Sequence, residues 1–133
     1  MTVTELISVY DAQRPNKISA ELKTRWIKEL ERILYVETIM THEGDPRFTP
    51  LKTEDEYFDT WDDTSEVIAR PPFDSVYTYW MDMQNASNQN DTKRYNFAAT
   101  MYNNALLSYQ QYYNRTYQPK TTETKILKHR WWT

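Results

Sequence analysis

The sequence predicts an all-α protein, a four-helix bundle with a long acidic loop and an extended C-terminal tail, and three observations support this fold class. Apolar residues recur at steps of three and four in several segments, as they do along one face of an α-helix. Gly44 is the only glycine among 133 residues, which argues against a sheet of glycine-turned hairpins and against glycine-rich nucleotide-binding loops. With 39% hydrophobic and 26% charged residues, the chain has the composition of one soluble globular domain, predicted to span residues 1–133.

The first two helices are predicted over residues 2–13 and 19–40. Thr2 and Glu5 form the Thr-x-x-Glu pattern that caps a helix start. Pro15 separates the two helices, and Ser19 is a suitable cap for the second. The apolar face of the second helix is predicted to consist of Leu22, Trp26, Leu30, Ile33, Leu34 and Val36. Its polar face is predicted to consist of Lys23, Lys28, Glu29, Glu31 and Arg32.

Residues 43–72 are predicted to form the long acidic loop. Between Glu43 and Glu66 there are nine acidic and two basic residues, a local charge of −7, and no helical periodicity persists. Loops of this length are usually functional or disordered. This one has aromatic anchors, which are Phe48, Tyr57, Phe58 and Trp61. We expect an irregular and partly stranded excursion, with one helical turn within residues 63–68.

The last two helices are predicted over residues 74–89 and 91–114, with Asp74 and Asp91 as their caps. The turn-forming residues 88–91 join them, and so short a connection predicts an antiparallel hairpin. Ala98 and Ala105 alternate with large residues on the apolar face of the last helix. Another helix can therefore approach closely at these two positions.

Residues 115–133 are predicted to form the extended tail. The segment has five basic residues and one acidic residue, a charge of +4. A frayed terminus has no need of apolar side chains such as Ile126 and Trp132, so we expect the tail to dock on its own domain or on a partner. Two further modes stay open, addition to the sheet edge of another subunit and nucleic-acid binding through basic and aromatic side chains.

The residue inventory gives little support for catalysis. Cysteine is absent, and His42 and His129 are far apart in the chain, which argues against thiolate and histidine metal sites. The acidic loop lacks the spacing of a calcium-binding loop, and no Gly-x-Ser-x-Gly occurs. We expect no enzyme activity, no cofactor and no metal, with a cation or a carboxylate pair in the acidic loop as a minor alternative. No run of about 18 apolar residues is present, so no membrane-spanning segment is expected.

Several motifs along the chain together resemble one protein family. They are Leu6-Ile7-x-x-Tyr10-Asp11-Ala12-Gln13-Arg14-Pro15-Asn16, Arg25-Trp26-Ile27-x-x-Leu30-Glu31, Pro71-Pro72-Phe73-Asp74-x-x-Tyr77, Arg94-Tyr95-Asn96 and Tyr112-Tyr113-Asn114-Arg115-Thr116-x-x-Pro119-Lys120. In this order they resemble the small head–tail adaptors of tailed bacteriophages, also called connector or head-completion proteins. The resemblance covers nearly the whole chain up to Lys120 and rests on packing and capping residues.

The resemblance implies a structural virion protein that is assembled in the host cytoplasm and located at the head–tail junction. Such adaptors form a ring, expected to hold about twelve copies, in which unlike surfaces of neighbouring subunits meet. The ring lies under the portal protein and extends the DNA channel, through which DNA passes without specific binding. On its other side it docks a tail, stopper or tail-completion protein.

The resemblance also implies where the partners bind. The candidate portal-binding residues are Ile126, Leu127, His129, Arg130, Trp131 and Trp132. The candidate residues for contact between subunits are Tyr57, Phe58, Trp61, Asp62 and Asp63. The alternative is a helical nucleic-acid-binding or regulatory protein that uses the basic aromatic tail. Its DNA affinity would come from Lys120, Lys125, Lys128 and Arg130.

Overall fold

The computed structural model describes residues 1–120, and this part of the chain is mostly helical, which confirms the all-α prediction. It contains α1 (Val3–Gln13), α2 (Ala20–Leu34), α3 (Glu54–Asp59), α4 (Ser75–Asn88) and α5 (Thr92–Thr116). A π-helical turn, Tyr35–Ile39, continues α2, and a 3₁₀ turn spans Pro46–Phe48. Two short strands, β1 (His42–Glu43) and β2 (Gln118–Pro119), pair with each other. The four segments predicted as helices are helical, but the presence of α3 means that a four-helix bundle is not confirmed.

Side-chain caps explain where most of the helices begin. Thr2 Oγ1 accepts a hydrogen bond from the Glu5 N–H at 3.2 Å, and Ser19 Oγ accepts one from the Leu22 N–H at 3.1 Å. The prediction that Asp74 caps α4 is wrong, because its side chain makes no capping bond. Its backbone is already helical, with φ −69° and ψ −12°.

The helices α4 and α5 form the predicted antiparallel hairpin. Phe73, just before α4, stacks on Tyr112 with ring centroids 4.6 Å apart, and the Trp80 ring centroid lies 5.4 Å from that of Tyr102. The start of α4 therefore lies beside the end of α5, and the two helices run in opposite directions. Asn90 turns the chain between them with φ at 54°, a left-handed conformation that asparagine tolerates better than most residues. The helix α4 also packs against α2, which in turn packs against α1.

Two charged residues predicted on the polar face of α2 lie in the interior instead. Lys23 is 2% exposed and Glu31 is 0% exposed. The Lys23 ammonium contacts Asp11 Oδ1 at 2.5 Å and Asn16 Oδ1 at 3.2 Å, so it joins α1 to α2. Buried ionisable side chains need hydrogen-bond partners. The partners of Lys23 lie at the end of α1 and in the turn after it, whereas Glu31 accepts from the Ile68 N–H, 37 positions away.

The predicted acidic loop is more ordered than its sequence indicated. It contains α3, which Thr53 caps by accepting from the Glu56 N–H at 3.3 Å. In place of the helical turn predicted within residues 63–68, there is a single hydrogen-bonded turn at residues 62–65, where the Ser65 N–H donates to Asp62 O at 3.1 Å. The chain then runs beside the start of α1. There the Val3 N–H donates to Ser65 O, and the Val67 N–H donates to Met1 O, both at 3.0 Å.

Residues 67–69 form a buried strap, and beyond the bond from the Val67 N–H to Met1 O no strand of the described residues pairs with it. Side chains replace the missing ladder: Arg47 donates to both Val67 O and Ile68 O at 3.0 Å. The Ile68 N–H donates to the Glu31 carboxylate at 3.2 Å, and the Ala69 N–H donates to the Tyr77 hydroxyl at 2.9 Å. Because buried backbone groups need hydrogen-bond partners, these three polar side chains hold the strap in place.

The start of the predicted tail is partly helical and partly paired within its own chain. Helix α5 continues to Thr116, two residues beyond its predicted end. β2 then pairs antiparallel with β1, His42 opposite Pro119 and Glu43 opposite Gln118. The Lys120 N–H donates to Thr41 O at 3.0 Å, so the chain passes beside the C-terminal end of the α2 segment.

Candidate interaction surfaces

An acidic surface covers α3 and the turn that follows it. It consists of Asp55, Glu56, Asp59, Asp62 and Asp63, all of which are exposed. The Thr64 hydroxyl and N–H both donate to Asp62 Oδ1, at 2.5 and 2.8 Å, and these bonds lower the pKa of Asp62 below its usual value. Five clustered carboxylates repel other anions and favour a basic partner.

Aromatic side chains attach the acidic surface to the core. Tyr57 stacks on Tyr35 with ring centroids 4.4 Å apart. Phe58 lies edge-on to Tyr35 at 5.9 Å, and the Arg32 guanidinium lies 4.8 Å above its ring. The acidic surface is therefore held on a packed foundation rather than on a free loop.

The residues predicted for contact between subunits divide into two groups. Phe58 and Trp61 are 4% and 8% exposed, so these two side chains pack mainly in the chain's own core and leave little surface for a neighbouring subunit. Tyr57 is partly buried against Tyr35. Asp62 and Asp63 are exposed, and for them the interface role stays a prediction.

A groove of about 680 Å³ opens between the end of α1 and the α4–α5 hairpin. Its charged lining consists of Arg14, Asp82, Lys93 and Arg94. Asp82 is already engaged, because it accepts from the Tyr10 hydroxyl at 2.8 Å and lies 3.1 Å from Arg14 Nε. The groove therefore has a net positive lining, and we call it the basic groove.

Phe97 lines the basic groove and is the most exposed large apolar side chain in the described part of the chain, at 68%. Lys93 lies one helical turn before it, on the same side of α5. This groove is not among the sites predicted from the sequence. The available signal was an aromatic residue at a position of α5 outside the predicted apolar face.

The tyrosines near the end of α5 serve packing. Tyr109 and Tyr113 are buried, at 2% and 3% exposure, and the Tyr113 hydroxyl donates to buried Asp45 at 3.0 Å. Burial and this hydrogen bond raise the pKa of Tyr113 well above its usual value. His42 lies beside this cluster, where its ring nitrogens contact Thr38 O at 2.7 Å and Asn114 Oδ1 at 2.6 Å.

All six candidate portal-binding residues, 126, 127, 129, 130, 131 and 132, lie outside the described residues. Within residues 1–120, no three His, Asp or Glu side chains come together in a way that could hold a metal ion. No helix in this same range is both long enough and apolar enough to cross a membrane.

No protein-family model, no curated protein and no solved structure matches this chain. The acidic surface, the basic groove and the attachment point of the tail are therefore the features that bear on its function.

Proposed function

We propose that this chain is a structural virion protein, a head–tail adaptor of a tailed bacteriophage that forms a ring under the portal, extends the DNA channel and docks the tail. The motifs that resemble these adaptors support the proposal, and contacts between different motifs add to that support. Glu31 of one motif and Tyr77 of another are both buried and hold adjacent residues of the same strap, through Ile68 and Ala69, and Phe73 stacks on Tyr112 of a third motif. In this proposal α1, α2, α4 and α5 act as the four-helix bundle that carries the partner-binding parts.

The observation that carries the proposal is that the described residues form an extensive core of their own. The buried apolar residues of the described chain all lie between Val3 and Tyr113, and the strands β1 and β2 fix the chain next to this core at Lys120. The sequence beyond adds Ile126, Leu127 and two tryptophans. A segment that combines apolar, aromatic and basic side chains has the composition that a partner such as the portal would recognise.

Deletion of residues 121–133 is expected to leave a folded helical domain. Because the described residues already bury a core of their own between Val3 and Tyr113, the free energy of unfolding should change by less than about 0.5 kcal/mol. Far-ultraviolet circular dichroism and urea unfolding of the shortened and full-length proteins measure this. Loss of the helical spectrum on deletion would show that the tail is part of the core.

The same deletion is expected to abolish binding to the portal protein of the same virus. Native mass spectrometry of full-length protein mixed with portal should show a complex that contains about twelve added copies, the number that the resemblance to head–tail adaptors implies. The full-length Trp131→Ala/Trp132→Ala variant tests the aromatic contribution and should weaken the complex, whereas Leu107→Ala, a change of one exposed apolar residue on α5, serves as its control. Undiminished portal binding by residues 1–120 would place the contact elsewhere.

The charge of the tail favours the second candidate, a helical nucleic-acid-binding or regulatory protein. Its four candidate phosphate contacts, Lys120, Lys125, Lys128 and Arg130, predict DNA affinity that falls steeply with salt, with a logarithmic slope of roughly −3 to −4. The adaptor proposal predicts weak DNA binding, because the acidic surface repels phosphate. Titration of labelled duplex DNA at several salt concentrations separates the two functions.

A further inference from the structure

Two surfaces of opposite charge adjoin the two ends of α1. At its start, the Thr4 hydroxyl donates to Asp63 O at 2.8 Å, which places the acidic surface beside this end. At the other end, Tyr10 and Arg14 line the basic groove. Helix α1 has 11 residues and is therefore about 16 Å long, so one helix length separates the two surfaces.

The basic groove has the features of a docking site for an acidic partner. Lys93 makes no ion pair within the described residues, and Arg94 makes only a long contact with Asp91, at 3.8 Å. Phe97 adds a 68% exposed aromatic ring beside these charges. A large apolar anchor next to unneutralised charge is the combination from which interface hot spots are built.

We propose that the basic groove of one copy receives the acidic surface of a second copy of this chain. The contact joins two different surfaces, so each copy still offers a free groove on one side and a free acidic surface on the other. Repetition of such a contact gives a ring when the rotation between copies closes. This inference rests on the proposed function, since it identifies the contact between subunits of the adaptor ring.

Charge argues for this occupant over the two obvious rivals. Residues 121–133 have three basic residues and one acidic residue, a charge of +2, the same sign as the groove, so this part of the tail is disfavoured there. Nucleic acid would gain from the basic residues, but the groove offers only Arg14, Lys93 and Arg94 for phosphate, and Asp82 opposes them. The acidic surface complements the groove and belongs to the same chain, so it is always present at the same concentration.

The test reverses the charge of each surface separately and then of both together. Lys93→Glu/Arg94→Glu changes the groove, and Asp59→Lys/Asp63→Lys changes the acidic surface; all four side chains are exposed. Asp62 is kept because it holds its turn through Thr64. Each double variant should raise the dissociation constant for self-association about tenfold or more, and the quadruple variant should restore it. Sedimentation velocity at low salt, with wild-type concentrations up to about 1 mM, measures the constant.

The contribution of Phe97 is tested with a matched variant. Phe97→Ser should weaken self-association about tenfold, whereas Leu107→Ser, at the exposed apolar position on the same helix that is not part of the groove, should leave it unchanged. Circular dichroism of every variant checks that the fold is retained. Equal effects of the two serine variants would overturn the role of the groove.

Several outcomes would overturn the proposal. The first two are a wild-type protein that stays monomeric at the highest concentration and a quadruple variant that does not recover self-association. The third is loss of self-association on removal of residues 121–133. The fourth is a groove variant that loses binding to duplex DNA while its state of self-association is that of the wild type. The portal experiment stays independent, because it depends on the tail. Failure of this inference leaves portal binding intact, whereas failure of the adaptor proposal leaves self-association intact without portal binding.

Discussion

Replacement of Arg47 by methionine is expected to lower the free energy of unfolding by about 2 to 6 kcal/mol. The guanidinium donates to Val67 O and Ile68 O, both at 3.0 Å, and these two residues are 0% and 2% exposed. Methionine has a similar length but no donor, so it leaves two buried carbonyls without a partner. Each unsatisfied buried acceptor costs about 1 to 3 kcal/mol, and urea unfolding followed by tryptophan fluorescence measures the sum.

The neighbouring Arg70 offers a matched control. It is exposed, so Arg70→Met removes the same charge and should change stability by no more than about 0.5 kcal/mol. Arg47→Lys should give an intermediate loss, because one ammonium cannot reproduce the paired donors of a guanidinium. If Arg47→Met were as stable as Arg70→Met, the strap of residues 67–69 would not depend on this side chain.

The sequence predicted those parts of the fold whose signals are local. The Thr2 and Ser19 caps and the three-and-four spacing of apolar residues depend only on near neighbours, and α1, α2, α4 and α5 lie where these signals placed them. Helix α3 has the same signal, because Thr53 and Glu56 repeat the Thr-x-x-Glu pattern. It was missed because six residues are too few to show a helical period.

The interior polar contacts could not be predicted because their partners are far apart in the sequence. Glu31 and Ile68 are separated by 37 positions, and Arg47 and Ile68 by 21. Without knowledge of such partners, a charged residue on a helix is predicted to lie on the solvent-exposed face. The clue for Glu31 is its spacing, since it lies four residues after Ile27 and three before Leu34, both buried.

The candidate surfaces were predicted only in part, for the same reason. Asp62 and Asp63 are exposed as expected, but nothing local distinguishes them from Phe58 and Trp61, which turn inward against α2. The basic groove joins α1 to α5, so its members, Arg14 and Phe97 among them, meet only in the folded chain. Proximity of this kind depends on helix packing, which the spacing of apolar residues does not specify.

A second large effect is expected from Glu31, through pH. Its carboxylate is 0% exposed, and burial raises its pKa from 4.5 to about 8, against the lowering effects of the Tyr77 hydroxyl, the Ile68 N–H and the Arg47 charge. Between these two pH values the folded chain holds a proton that the unfolded chain has lost. The contribution of Glu31 to the free energy of unfolding is therefore greatest below about pH 4.5. It decreases as pH rises toward 8, by up to about 1.4 kcal/mol per pH unit.

Glu31→Gln should remove this pH dependence. The amide stays neutral and its oxygen can still accept from the Ile68 N–H, so the variant should gain stability relative to wild type as pH rises from 5 to 8. Urea unfolding at each pH measures the difference in free energy of unfolding between the variant and the wild type. The titration of all other groups is common to both proteins and cancels in this difference. Glu29 is an exposed glutamate on the same helix. For Glu29→Gln, the difference in free energy of unfolding from the wild type should not change with pH. Parallel curves for Glu31→Gln and wild type would mean that Glu31 is ionised in the folded protein, held as a carboxylate by Arg47, Tyr77 and the strap.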